Sequence, residues 1–589
     1  MSKRAGVFAD NHRHENIKRI KFFIKLFKNK LFVSFAVNAL IMVFCIYVSS
    51  FSYDSYKDYE NSLLISHYHI PYNNTVNYLL AFAVSSIQYI FSTINIFVFA
   101  QVIFGWLAFL SITYALTDKF GYKIGVVFSV FLNILFALNH YADIASQKTS
   151  AIMLTAGFLL MFNAIRRKRY RFMCLLGAIE ILIGSFYCFE LFFVALAFAI
   201  VYLIADLIAK GKYKIKFHKF MWYFRPFLIL FVLITVLTFA LHNYSVAVNT
   251  QNDTLKGNYE YHQLTEKIAN FPYPDYSKNK EAFSNVGITK TEYELLKDGY
   301  YDESTPINLD ALKLVDSLQK QNNNLITIWD SFVDFLSSSG VSLASFDNDA
   351  MLIIIYIIFV TLFLVFHKKT HMFFPILITL QLIVSNSLLR YLFNSYYYTV
   401  YISWIMAYCV LLYSIDFTAF KDGCNAMLKA ARKGTFFVSA MLVVTLLLVN
   451  CLVYQSHLHN NIDTKSRPSR LYVEVERHPE RFYILDTKTA IEYTKYSTNY
   501  VHPMWGFKSS YLSNVDSFGY MHHNSVLNKK GADSVYRAAI SIKNVYVIDN
   551  YITYKKENYL KKYYSTEENK SYFYKLETEI DGYKIYSVV

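Results

Sequence analysis

The sequence predicts a polytopic all-α membrane bundle that carries a small α/β domain at its C-terminal end. Three observations lead there. Of 589 residues, 54% are hydrophobic and only 17% are charged, and few water-soluble chains can bury so much apolar surface. The apolar residues come in blocks of about twenty, the length that crosses a bilayer. The basic residues gather in short segments between those blocks, the pattern of cytoplasmic loops. The net charge of +15 therefore does not point to nucleic acid.

Taken in order, residues 1–30 carry nine Lys or Arg against Asp10 and Glu15. This segment is expected to stay uncleaved on the cytoplasmic side. A first span over 31–50 leads to an outer loop, 51–76. The apolar stretch 77–117 is too long for one crossing. It divides into an interfacial helix near 76–91 and a span near 94–116. Spans over 124–140 and 149–165 flank a short outer turn, His140 to Lys148, and end in the dense basic loop Arg166 to Arg171. The block 172–209 holds two spans joined by a minimal outer turn near Phe186 to Glu190. A basic segment, 210–225, precedes the span 226–243. Region 243–348 has 15 acids against 8 bases and reads as a large outer loop over 244–348. Spans over 349–366, 372–388, 397–417 and 435–455 bring the total to about eleven. The N-terminus is then inside and the tail, 456–589, outside. The expected domains are the basic terminus 1–30, a transmembrane domain 31–455 and an extracytoplasmic α/β domain 456–589.

In the tail, Arg481 to Asp486 and Asn544 to Asp549 alternate like strands, and Ala532 to Ser541 reads as a helix. Leu576 to Val588 reads as a hairpin turning at Asp581-Gly582, a strong two-residue turn signal. The six cysteines, Cys45, Cys174, Cys188, Cys409, Cys424 and Cys451, lie in apolar runs or an inner loop, so disulfides hold neither polar region. Little Gly or Pro with abundant Lys, Asn, Ile and Tyr suggests a bacterial plasma-membrane protein.

Four features on the outer side can carry chemistry. The first loop has Asp54, Asp58 and Glu60 just where the chain leaves the hydrocarbon. Carboxylates there can take a proton from a hydroxyl or hold a polar acceptor, and they can equally form a solvated loop. Asp143 sits in the next outer turn, with Lys148 behind it. Glu190 lies between aromatic residues, where an acid must face a cavity, a partner or headgroups. Arg390 is the lone base of a late outer turn. An arginine there suits the oxygens of a lipid-linked phosphate or a snorkelling anchor. His67-Tyr68-His69 lacks a third metal ligand at fixed spacing. Trp329 and Trp505 could stack on sugar rings or belong to a core. No Gly-rich phosphate loop, Walker motif or G-x-S-x-G elbow is present, which disfavours a cytoplasmic nucleotide as fuel.

In layout, residues 31–455 resemble the GT-C superfamily of polytopic glycosyltransferases. The likeness lies in the acidic first outer loop, the interfacial helix before the second span, further charged outer turns, and a soluble outer domain after the last span. The resemblance implies a sugar donor linked to polyprenyl phosphate and a glycan or lipid acceptor. It implies Asp54 as base on the acceptor hydroxyl, Asp143 as a second acid, and Arg390, in the pair Arg390-Tyr391, as the phosphate ligand. Asp58, Glu60 and Glu190 would support them or bind the acceptor, and Lys148 would join Arg390 at the phosphate. The first loop has no adjacent acidic pair, so a divalent cation is compatible but not required. Two rivals remain at this stage. One is a polymerase or ligase of lipid-linked oligosaccharides. The other is a transporter, flippase or non-catalytic envelope protein.

Overall fold

The computed structural model describes residues 29–48, 52–53, 56–67, 69–72, 75–167, 170–209, 217–269, 271–323, 328–345, 348–366, 371–393, 397–416, 470–486, 488–489, 515–517, 532, 535–565, 572–580 and 582–589. The basic segment 1–28, Asp54, Tyr68, the loops 210–216 and 421–433, the eleventh expected span 435–455 and Trp505 lie outside the described residues.

The chain begins with α1 (Lys30–Val48), the short strand β1 (Ser52–Tyr53), α2 (Tyr56–Ser62) and a π-helical turn, Leu63–His67. Then come α3 (Tyr78–Gln88), α4 (Ile96–Phe120), α5 (Tyr122–Ala142), β2 (Asp143–Ile144), α6 (Ser146–Arg167), α7 (Tyr170–Tyr187), α8 (Phe189–Ala209) and α9 (Phe217–Asn249). Helices thus occupy every expected span up to 226–243. Local sequence sets several of their ends. Asn77 and Asn95 cap α3 and α4 with side-chain oxygens on Leu79 N and Val98 N. Gly121, at φ 84°, turns the chain between α4 and α5, where a side chain would strain the backbone. Later come α10 (Asp253–Ala269), α11 (Lys280–Asn285), α12 (Lys290–Lys297), α13 (Leu309–Asn323), α14 (Ile328–Ser345), α15 (Asn348–Phe366), α16 (Phe373–Phe393) and α17 (Tyr397–Ser414).

Among the described residues, six helical segments are long and apolar enough to cross a membrane: Ile96–Phe120, Tyr122–Ala142, Ser146–Arg166, Phe189–Ala209, Leu228–Asn249 and Phe373–Tyr391. The protein is a membrane protein on that evidence. α6 is the central helix, with 94% of its apolar window buried. It packs most closely on α7, and glycines make the approach possible. A Cβ on Gly177 would meet the Gly157 carbonyl at 2.7 Å, and one on Gly184 would meet the Leu154 side chain at 2.9 Å. Small residues that let backbones touch are the usual adhesive of helices in lipid. At one end of the bundle, Asp118 accepts from Lys30 at 2.7 Å and Arg166 at 3.4 Å, joining α1, α4 and α6. Between the ends, Asn38 donates to Thr113 at 2.8 Å, Asn133 donates to Asn38 at 3.3 Å, and Ser111 donates to Glu180 at 2.5 Å. Away from water such groups must find partners within the protein.

The last elements are α18 (Arg470–Arg477), β3 (Phe482–Leu485), β4 (Val515–Ser517), α19 (Val535–Ser541), β5 (Val545–Ile548), α20 (Tyr554–Tyr564), β6 (Tyr574–Ile580) and β7 (Tyr583–Val588). The strands form one sheet in the order β4-β3-β5-β7-β6. β3 runs parallel to β4 and β5, and β7 runs antiparallel to β5 and β6. The hairpin and its Gly582 at φ 83° stand where the Asp581-Gly582 signal puts them.

Two segments expected as separate regions share one core. Leu264, Phe283, Leu295, Tyr300 and Val315 of the central polar region pack with Phe482, Val547, Tyr536 and Tyr559 of the tail. Asp302 accepts from the hydroxyls of Tyr559, at 3.0 Å, and Tyr564. Glu292 accepts from Lys562 at 2.7 Å and Tyr563 at 2.9 Å. At the carboxyl ends of β3 and β5, buried Lys556 bridges Asp486 at 3.1 Å and Asp549 at 2.5 Å, beneath the ring of Tyr300.

Two predictions follow from this packing. Gly177→Leu should destabilise the bundle by about 1–3 kcal/mol through overpacking, read as a lower thermal midpoint in detergent. Gly340→Ala on α14, which meets nothing within 4 Å, should not. The shared polar domain should also show a stability maximum at mildly acid pH. Burial, and then the charge of Asp486, push the Asp549 carboxyl up to about 6 from 3.8. The folded state binds that proton more tightly, so this contribution is full below 3.8 and is lost as pH rises through about 6. Glu292 behaves oppositely. Burial raises it, but bonds from Lys562, Thr289 and Tyr563 outweigh burial and hold it down at about 2 against an ordinary 4.5. Its contribution is present above 4.5 and lost as pH falls towards about 2. Denaturation followed across pH should show both flanks, and Asp549→Asn should remove the alkaline one.

Candidate functional site

The two-residue strand β1 pairs in parallel with β2, Ser52 opposite Asp143 and Tyr53 opposite Ile144. The first polar loop is thereby fastened to the turn between α5 and α6. A second tie follows on α2. Asp58 is buried, and its Oδ1 accepts from the backbone N–H of Ser146 at 2.9 Å. Ser146 opens α6, so the carboxylate satisfies one of the amide groups left open at a helix start and meets the positive end of the helix dipole. Lys148, in the first turn of α6, is also buried, and its Nζ donates to the Asp143 carbonyl at 3.2 Å. In the next position, Thr149 donates to the side-chain carbonyl of Gln101 on α4 at 3.4 Å. Asp58, Asp143 and Lys148, three of the residues singled out from the sequence, thus meet at one helix start.

Around that start several buried polar atoms lack a partner among the described residues. Gln101 Nε2, Asn139 Oδ1, Ser146 Oγ and Gln147 Oε1 are four, and Asn61 Nδ2 on α2 is a fifth. Native interiors keep few such atoms, and each calls for an explanation such as a water, an ion or a functional role. The His140 ring fits because α4 has a glycine opposite: any Cβ on Gly105 would collide with it. Phe109 and Tyr141 meet the ring edge-on, with centroids 6.1 and 5.1 Å away.

Glu60 and Glu190 act electrostatically on tyrosines of α10. Burial, and then the charge of Glu60, push the Tyr261 hydroxyl well above its ordinary pKa. Burial, and then the charge of Glu190, raise the Tyr259 hydroxyl. Glu190 itself is exposed in the first turn of α8 and accepts from the Cys188 thiol at 3.3 Å. Its neighbour Phe189 stacks on His242 of α9 at 3.9 Å.

Arg390 is not part of the cluster around the start of α6. It is buried near the end of α16 and forms an ion pair with Asp334 of α14. Its Nη2 donates to Ser338 Oγ at 2.6 Å, and its guanidinium lies 5.6 Å from the Phe335 ring centre. Asp54, the residue after Tyr53, lies outside the described residues. Among the described residues, no three His, Cys, Asp or Glu side chains are grouped to hold one metal ion. A small apolar crevice between α6, α8 and α17, lined by Phe158, Phe162, Phe198 and Met406, contains none of these charged groups.

No protein-family model matches the chain, and no curated protein sequence matches it. The site therefore rests on its own geometry. Sequence reasoning passed over Gln101, Asn139, His140, Ser146 and Gln147. The available signal was a polar residue inside an apolar run, as Gln101 is within Val98 to Phe104, and a polar cluster at a helix end.

Proposed function

We propose that the protein is a membrane glycosyltransferase of the GT-C kind. It would move a sugar from a polyprenyl-phosphate donor to a glycan or lipid acceptor at the outer face of the plasma membrane. The single observation that carries the reading is the tie between the first loop and the start of α6, with unsatisfied buried donors and acceptors around it. A sugar hydroxyl both donates and accepts, which suits amide and hydroxyl groups that have no partner among the described residues.

The topology is part of the proposal. Residues 253–323 share a core with the tail, so both stand on one side of the membrane, and an even number of crossings must separate them. In this reading α15, α16 and α17 are three, and the apolar segment 435–455, which lies outside the described residues, is taken as the fourth. The first loop is read on that same side, because Asn77 at its end donates to the Leu241 carbonyl near the end of α9, which leads into α10. The six helices α4 to α9 between them preserve the parity. With α1, the proposed arrangement has eleven crossings and puts the basic loops on the opposite, cytoplasmic face.

In the reaction, the acceptor hydroxyl gives its proton to the Asp54 carboxylate as its oxygen attacks the anomeric carbon. The bond from that carbon to the phosphate oxygen breaks, and polyprenyl phosphate leaves. Lys148 and the amide end of α6 meet the departing negative charge. Lys148 takes this part in preference to Arg390, whose charge is already met by Asp334. Asp58 is a positioning residue that fixes the start of α6 against the loop.

The test is sugar transfer from a labelled polyprenyl-phosphate sugar in membranes containing the chain. Asp54→Asn and Lys148→Gln should each lower the rate by about a hundred-fold or more, with unchanged protein levels. Full transfer by Asp54→Asn would reject the assignment.

A further inference from the structure

Helix α14 turns two serines and one phenylalanine towards the protein and most of its large apolar residues outward. Ser331, Phe335 and Ser342 are buried against α15 and α16. Trp329, Val333, Leu336 and Leu343 recur at helical spacing on an outward face, and Trp329 is 67% exposed. Asp330, Asp334 and Ser337 form a third face, also exposed. The helix therefore has one side for the protein, one apolar side and one acidic side, with the last two distinct at about 100° per residue.

Water does not suit the apolar side, and the described residues cover it with nothing. Its surroundings say what does. α16, on which α14 packs, exposes Ile376, Leu380, Val384 and Leu388 at four-residue intervals, and α16 contains one of the six segments able to cross a membrane. The apolar side of α14 thus adjoins a lipid-facing stripe. The ion pair of Asp334 with Arg390, and the bond from Arg390 to Ser338, hold α14 against the end of α16.

We propose that α14 is a lipid-docking helix that lies along the headgroup–acyl boundary. Trp329, Val333, Leu336 and Leu343 sit in the acyl layer, and Asp330 and Ser337 turn towards water. Arg390 is the anchor that sets its depth. This inference rests on the membrane-spanning segments and is independent of the glycosyl-transfer reading.

The test uses the full chain in phosphatidylcholine vesicles whose acyl chains are brominated near the glycerol end. The fluorescence lost on Trp329→Phe isolates the signal of that one exposed indole. Brominated lipid should abolish most of that signal, and aqueous iodide should leave it almost unchanged. Quenching by iodide and not by lipid would place the indole in water and overturn the proposal. Protection from both would mean that another protein surface covers α14, and would overturn it equally. Trp329→Phe should melt at the wild-type temperature in detergent, which separates loss of the probe from loss of the fold.

Discussion

The bond from Ser146 N–H to the Asp58 carboxylate, beside the two-residue pairing of β1 with β2, is the constraint on which the candidate site depends. It is a small interaction by area. Its effect is large because it joins a loop that leaves α1 to the start of α6, the most deeply buried helix of the bundle. A carboxylate held at a helix start is favoured by both the open amide groups and the dipole. Once it is held there, Asp143 and Lys148 are fixed at the same helix start, where Lys148 donates to the Asp143 carbonyl.

The bundle below supplies rigidity by different means at each level. Glycines let α6 and α7 touch. Amide and hydroxyl pairs tie α1, α4 and α5 through Asn38, Thr113 and Asn133. A charged knot at Asp118 closes the far end. The polar domain is built separately, its one core shared between the central polar region and the tail. Its acids on the loop side, Glu292, Glu294 and Asp302, face lysines and tyrosines of α20. That complementarity explains how a strongly acidic loop and a lysine-rich tail come to share one core.

Much of this is legible in the sequence, and the physical reasons differ by element. Apolar runs announce helices because bilayer thickness fixes their length. Strands β3 and β5 and the hairpin at Gly582 are legible because alternation and turn chemistry are local. The tie between the first loop and Asp143 could be expected only as a convergence of outer turns; its register and the capping role of Asp58 could not. Arg390 shows the limit most clearly. An isolated base in an outer turn looks free for a ligand, yet its counter-ion, Asp334, lies 56 residues earlier. Asp302 and its tyrosines are far more remote, 257 and 262 residues apart. Such pairings leave no periodic trace in a single chain.

The most direct measurement is a cross-link between the two loops. In the full-length protein, Tyr53→Cys with Ile144→Cys places thiols on residues that are direct strand partners, within the reach of a disulfide. Mild oxidation in native membranes should yield the joined peptide, identified by mass spectrometry, and the pair should lose reactivity towards a water-soluble maleimide. If the two thiols stay separate and fully reactive while the protein remains folded, the loops do not meet. The site described at the start of α6 would then not exist.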